Sequence, residues 1–192
     1  MILEYSDLDT ATRYKLMSQS VVPRPIAWVV SENVGRVNVA PFSYFAPLSS
    51  QPPVVVLSVG HKQDGTPKDT LYNLTATRKA TICTVGEAHL EKMHLSGTSH
   101  PIEESEAVMY DIPTERVRAD YPPIITGCDS ALFCTLYQTV DLPGSQTIPL
   151  ILEVQAHYLR EGLADKDLNF VIEAMGRVGR AYHPPAKELI RL

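Results

Sequence analysis

Arg24-Pro25-Ile26-Ala27-Trp28-Val29-Val30-Ser31-Glu32-Asn33-Val34-Gly35-Arg36-Val37-Asn38-Val39-Ala40-Pro41-Phe42-Ser43-Tyr44-Phe45 sets the architecture of this chain. Ile26 to Val30 is a β-rich run that starts after two prolines and stops at a polar turn containing Gly35. Arg36 to Ala40 resumes with apolar and polar residues in alternation. Two such runs on either side of a short turn predict a hairpin. Outward from it, Pro52-Pro53 opens Val54-Val55-Val56-Leu57-Ser58-Val59, an apolar run of the kind buried on both faces. Ala80 to Val85 is a further strand. Ala131–Tyr137 and Thr147–Leu159, joined by Asp141-Leu142-Pro143-Gly144-Ser145, predict an antiparallel pair. Helical signals are short: Asp69–Thr77, Glu87–Leu95 and a turn at Glu103–Met109. Ser96 to Tyr121 is otherwise irregular, and Leu168–Met175 reads as helix or strand. The fold class is therefore mainly β: a closed or nearly closed barrel with a few short helices. Strands do not alternate regularly with long helices, which excludes a doubly wound parallel sheet and its dinucleotide crevice.

The 192 residues carry no repeat or low-complexity linker and are read as one domain over 1–192. Seventeen Lys+Arg against 22 Asp+Glu give a net charge of −5. That balance, without a basic run, argues against a nucleic-acid partner. The first residues, Met1-Ile2-Leu3-Glu4-Tyr5-Ser6-Asp7, show no basic and apolar leader. No apolar stretch approaches the ~20 residues of a membrane helix. Cys83, Cys128 and Cys134 lack CxxC spacing, so no metal centre or disulfide framework is expected. A cytoplasmic protein with reduced, buried thiols follows as the expectation.

Two segments carry candidate chemistry. Gly60-His61-Lys62-Gln63-Asp64-Gly65-Thr66-Pro67-Lys68-Asp69-Thr70 follows a buried strand and opens a helix. Its glycines have Walker spacing, but Thr66 stands where that loop needs lysine, and Pro67 lacks a needed N–H. Two readings remain. One is a looser phosphate site with Lys68 as charge, Thr70 as hydroxyl donor and the helix N-terminus as dipole. The other is a plain capped helix with Asp69 as N-cap. In Asn38 to Phe45, small residues and hydroxyls alternate with aromatics, which suits either a wall for a flat ligand or ordinary core packing. His89, His94 and His100 have spacings that place no two imidazoles on one helix face. Little acid–base or nucleophilic equipment is visible, and no catalytic side chain is assigned. A ligand wall without catalytic residues fits chemistry carried by a cofactor.

Arg24-Pro25-Ile26-Ala27-Trp28-Val29, Gly35, Asn38 to Phe45, Pro52-Pro53, Ser58-Val59-Gly60, Lys68-Asp69-Thr70, Asn73-Leu74 and Thr81-Ile82-Cys83 together resemble the flavin reductase-like, FMN-binding split-barrel family, in particular its flavoredoxin-like subgroup. Weaker likeness continues through Ser105-Glu106, Ala131–Leu136, Glu153-Val154, His157 and Gly176-Arg177-Val178-Gly179. The resemblance implies a six-stranded antiparallel Greek-key barrel. It implies a homodimer with FMN, rather than FAD, at the interface. It places Asn38, Val39 and Ala40 at the isoalloxazine edge with Ser43 nearby. Ser58, Val59 and Gly60 would border the ribityl chain, Lys68, Asp69 and Thr70 the phosphate, and Arg24 either ring or phosphate. The activity implied is a flavin reductase, with NADH or NADPH delivering a hydride to FMN and electrons passing onward, to a redox partner protein among other acceptors. Reductases that serve monooxygenases often carry a Gly-Asp-His turn before the penultimate strand. Here Ser145-Gln146-Thr147-Ile148-Pro149 stands in that region. This favours a protein that keeps its FMN, and the alternative is a non-catalytic, flavoredoxin-like electron carrier. The Glu87–Tyr121 insertion and the tail after Asp165 are candidates for dimer contact and substrate cover.

Overall fold

The computed structural model describes residues 1–185. In chain order it has α1 (Thr10–Ser20), β1 (Arg24–Pro25), β2 (Ala27–Asn33), β3 (Arg36–Phe42), β4 (Phe45–Ser50), β5 (Pro53–Gly60), α2 (Asp69–Thr77), β6 (Lys79–Cys83), α3 (Leu90–Leu95), α4 (Glu106–Met109), β7 (Thr114–Glu115), β8 (Ile124–Ile125), β9 (Ser130–Thr139), β10 (Thr147–Leu159), β11 (Gly176–Val178) and β12 (Ala181–His183).

The main sheet has the order β3-β2-β6-β9-β10-β5-β4, antiparallel throughout. Its two outer members are consecutive in sequence. β3 and β4 are one strand bent at Ser43-Tyr44, pairing with β2 before the bend and with β5 after it. A bond from the Ser58 N–H to the Tyr44 carbonyl, 3.0 Å, holds the bend against β5. The bend closes seven strand segments into a six-stranded barrel, as a split barrel requires. The β2–β3 hairpin turns at Val34-Gly35, where φ is +51° and +73°. Glycine adopts that conformation freely, while Val34 holds it at full exposure.

Two apolar cores sit on opposite faces of β2. Ala27 and Val29 point into the barrel with Val55, Leu57, Val59, Ile82, Leu150 and Leu152, where Leu71 and Leu74 of α2 join them. Trp28 and Val30 point outward against Met93, Ile112, Ile124, Ile125 and Phe133. Burial on both faces explains why Ile26 to Val30 is apolar without alternation. Trp28, fully buried, donates its indole N–H to Ser96 Oγ at 3.0 Å, which ties β2 to the end of α3.

Some local expectations are corrected. Leu168–Met175 is neither helix nor strand. Residues 186–192, the end of the tail, lie outside the described residues. Helix α1 carries no apolar stripe and buries only Ser18, so hydrophobic periodicity could not reveal it. Asp9 starts it by accepting the Thr12 N–H at 2.7 Å. The small sheet β1-β11-β12 brings the tail back beside Arg24.

Candidate functional site: a cation-lined groove beside the bent strand

A groove of about 440 Å³ runs between the end of β3 and the loop after α3. Pro41, Phe42 and Ser43 form one wall, and Met93, His94, Gly97 and Thr98 the other, with Tyr14, Lys68, Arg177 and Tyr182 completing it. Gly97 permits the close approach of the two walls. A Cβ there would stand 3.2 Å from the His94 carbonyl oxygen and 3.4 Å from Pro41 Cγ. A smaller chamber continues past Lys68, Gly97 and Thr98, lined by Asn38, Ala40, Lys62, Asp69, Thr70 and Glu106.

The residues singled out from sequence divide into three groups. Ala40, Ser43, Lys68, Asp69 and Thr70 line the groove or its chamber. Asn38 lines the chamber too, but its amide is engaged. In the orientation that satisfies both ends, it donates to the Glu106 carboxylate at 3.2 and 3.3 Å and accepts from Ser31 and Thr70 hydroxyls at 3.3 and 3.1 Å. Asn73 donates to Ser31 Oγ at 3.1 Å. The Val39 N–H donates to Glu106 Oε2 at 3.2 Å, and the Val39 side chain is fully buried. Glu106 thus accepts from both the Asn38 side-chain amide and the Val39 N–H. Ser58, Val59 and Gly60 lie apart, on β5. Val59 points into the barrel, and none of the three lines the groove or chamber.

The helix-cap expectation is corrected. Lys68 is the N-cap of α2, without a side-chain cap bond, and Asp69 is the first helical residue. Asp69 instead pairs with Lys62 at 2.7 Å, while Lys62 also donates to the His100 carbonyl at 2.8 Å. Asp69 is thus neutralised locally, and a negative charge at this helix start is already compensated.

The positive groups in the groove and beside it are treated differently. Lys68 is partly buried, its ammonium 5.8 Å from the Phe42 ring centre, with no carboxylate in ion-pair range among the described residues. Burial lowers its pKa, with the Asp69 charge opposing. Arg24 is 5% exposed. Its Nη1 donates to the carbonyls of Ser18 and Val21, and its Nε lies 3.5 Å from Ser43 Oγ. Its Nη2 is buried without a hydrogen-bond partner among the described residues. A buried guanidinium nitrogen left bare costs several kcal/mol on the order of a lost charged hydrogen bond, so an acceptor is expected to meet it. Glu106, by contrast, is a buried acid whose pKa burial raises, with the Val39 N–H pulling the other way.

Sequence inspection missed Tyr14, His94, Arg177 and Tyr182. His94 Nδ1 and Tyr182 Oη are 2.8 Å apart, and the Arg177 guanidinium lies 4.4 Å over the Tyr182 ring. Only the short Gly176-Arg177-Val178-Gly179 signal pointed to this cluster.

The fold agrees with the comparisons. The flavin reductase like domain matches residues 17–179. A Deinococcus radiodurans protein of uncharacterised function is 35% identical over 90% of this chain and 79% of its own length. The crystal structure of Pseudomonas fluorescens 2-nitrobenzoate 2-nitroreductase superposes with a TM-score of 0.89 at 31% identity, covering 100% of this chain and 95% of that one. Nitrilotriacetate monooxygenase component B from Bacillus cereus superposes at 0.91 with 23% identity, covering 100% and 98%. The chain belongs to the flavin reductase-like family, and its fold is the split barrel.

Proposed function

We propose that this chain is an FMN-dependent reductase, with NADH or NADPH as hydride donor. The observation that carries the reading is a set of cations without an acidic partner among the described residues, in and beside one aromatic-walled groove, in a chain whose net charge is −5. Lys68 fits an anionic flavin phosphate, and the buried, bare Arg24 Nη2 fits an acceptor from the same ligand. FMN, when bound, supplies hydride and electron transfer. Lys68 holds the phosphate as a point charge through a charge-assisted hydrogen bond. Thr70 and the α2 N-terminus face the same chamber, beside the neutralised Asp69. Ser43 and Ala40 border the ring, with Asn38 and Val39 as supports fixed through Glu106. Ser58, Val59 and Gly60 join the site in this reading across β5, next to the bend. The similarity to a nitroreductase supports a catalytic rather than purely carrying role.

The reading includes a homodimer. Along the outer face of β4, β5 and β10, Ala46, Val56 and Ile151 are register neighbours, and Leu48 is 58% exposed. A second copy would cover this strip. A cytoplasmic location suits the free, buried Cys83, Cys128 and Cys134. No helix among the described residues is long and apolar enough to cross a membrane.

The test is the visible spectrum of the purified protein, identification of the released cofactor, and oxidation of NADH and NADPH with FMN or FAD added. Flavin bands with FMN released and turnover with one nucleotide support the proposal. Released FAD would replace FMN in it. The Ser145-Gln146-Thr147 turn favours a second reading, because Ser145 Oγ bonds back to Thr147 and no imidazole stands there. Tightly held FMN without nucleotide turnover selects that reading, an electron carrier.

A further inference from the structure

The end of the groove away from the lower chamber holds a second arrangement of positive charge. β1 pairs with β11 so that Arg24 stands directly opposite Arg177, and β11 pairs with β12 so that Arg177 stands directly opposite Tyr182. Like charges directly opposite on neighbouring strands destabilise a sheet. No carboxylate comes within ion-pair distance of either arginine among the described residues. Arg24 faces the carbonyls that end α1, whereas Arg177 lines the groove.

Arg177 is held in a defined orientation. Its Nε donates to the Gly179 carbonyl at 3.1 Å, and its plane lies over the Tyr182 ring at 4.4 Å. Tyr182 is fixed in turn by His94 Nδ1 at 2.8 Å, with the imidazole edge-on to the phenol ring. Among the described residues, neither Nη group of Arg177 has an acceptor. A guanidinium pinned at Nε with a free terminal pair is a two-point binder of a carboxylate. The adjoining surfaces are the rings of Tyr14 and Tyr182 and the apolar faces of Ile26 and Met93. These suit a flat apolar body attached to that carboxylate.

We propose that Arg177, Tyr182 and Tyr14 form the binding site for a planar aromatic acid, with the carboxylate on the free pair of Arg177. The proposal is one of binding and does not depend on the flavin reading. The Lys68 end takes the cofactor's phosphate, and the Arg177 end takes the substrate's charge.

The test is calorimetric titration of the protein, with and without FMN added, using benzoate, its neutral isostere benzamide, and inorganic phosphate. Benzoate is expected to bind at least tenfold more tightly than benzamide. Arg177→Gln is expected to abolish that preference and Arg177→Lys to keep part of it, with FMN affinity unchanged within about threefold. Circular dichroism of each variant confirms its fold, and Tyr182→Leu, which removes the ring beneath the guanidinium, lowers benzoate affinity as well. Equal binding of benzoate and benzamide overturns the proposal. So does a benzoate preference that survives in Arg177→Gln, or phosphate binding at Arg177 more tightly than benzoate. A parent protein that takes up no FMN defeats the flavin reading instead, while the benzoate comparison on the flavin-free chain still decides the role of Arg177.

Discussion

Two polar clusters flank β3, and they differ in how completely they are satisfied. Around Asn38, the Ser31 hydroxyl, the Thr70 hydroxyl, the Asn73 amide, the Glu106 carboxylate and the Val39 N–H all find one another. In the groove a few residues further along, Lys68 and Arg177 have no acid among the described residues, and Arg24 beside it has a buried nitrogen with no partner among them. Both clusters contain buried charge. The first is closed and therefore holds the hairpin to α2 and α4. The second is open toward a cavity and therefore waits for an anion. A buried polar group that is fully bonded reports architecture, and one left bare beside a cavity reports a ligand.

Mutation separates the two. Glu106→Ala removes the acceptor for both the Val39 N–H and the Asn38 amide, and it is expected to lower stability by about 2–4 kcal/mol. Urea unfolding measures that loss, and an unchanged midpoint would mean that the cluster bears no structural weight. Lys68→Ala is expected to weaken FMN binding by about 1–3 kcal/mol, the loss of a charge-assisted contact, while the urea midpoint barely moves. Fluorescence titration of FMN checks it, and parental affinity in the variant would remove Lys68 from the phosphate site. Ser43→Ala should shift FMN affinity by less, about 0.5–1 kcal/mol, and alter the flavin absorption bands. An identical spectrum would make Ser43 a packing residue at the bend.

The smallest effect concerns pH. Burial raises the Glu106 pKa in the folded protein above its ordinary value of 4.5. The folded state then holds a proton more tightly than the unfolded chain. Its contribution to stability is fully present below pH 4.5 and is lost as pH rises through the raised folded value. Glu106→Gln keeps an acceptor for the Val39 N–H but cannot ionise. Thermal melting between pH 4.5 and 7.5 should show a shallower dependence in the variant than in the parent, and matching slopes would place the titration elsewhere.

Much of the barrel was legible because its signals are local. The alternation from Arg36 to Ala40, the doubly buried run at Ile26 to Val30 and the proline before β5 each act over a few residues. The loop carrying Lys68 could be singled out for the same reason, as a polar turn between a buried strand and a helix. Helix α1 was not legible, because TATRYKLMSQS has no apolar stripe and its place comes from Arg24 binding the carbonyls of Ser18 and Val21. Glu106 was marked only by a short helical turn and a weak family likeness at Ser105-Glu106, and its partner Val39 lies 67 positions away. His94 and Tyr182 are separated by 88 positions and meet only because β12 folds back beside β11.

By itself, the sequence determined a mainly β chain built on the 24–45 hairpin, its family likeness, and the lysine and hydroxyls of the 60–70 loop. Period-two burial and turn chemistry are properties of neighbouring residues, so they can be read in order along the chain. The tertiary structure alone decided which polar groups are closed upon one another and which stay open. That distinction depends on distance and burial between residues far apart in sequence. It turned Asn38 and Val39 into braced supports, and it placed Arg177 and Tyr182 beside Arg24 at the mouth of the groove.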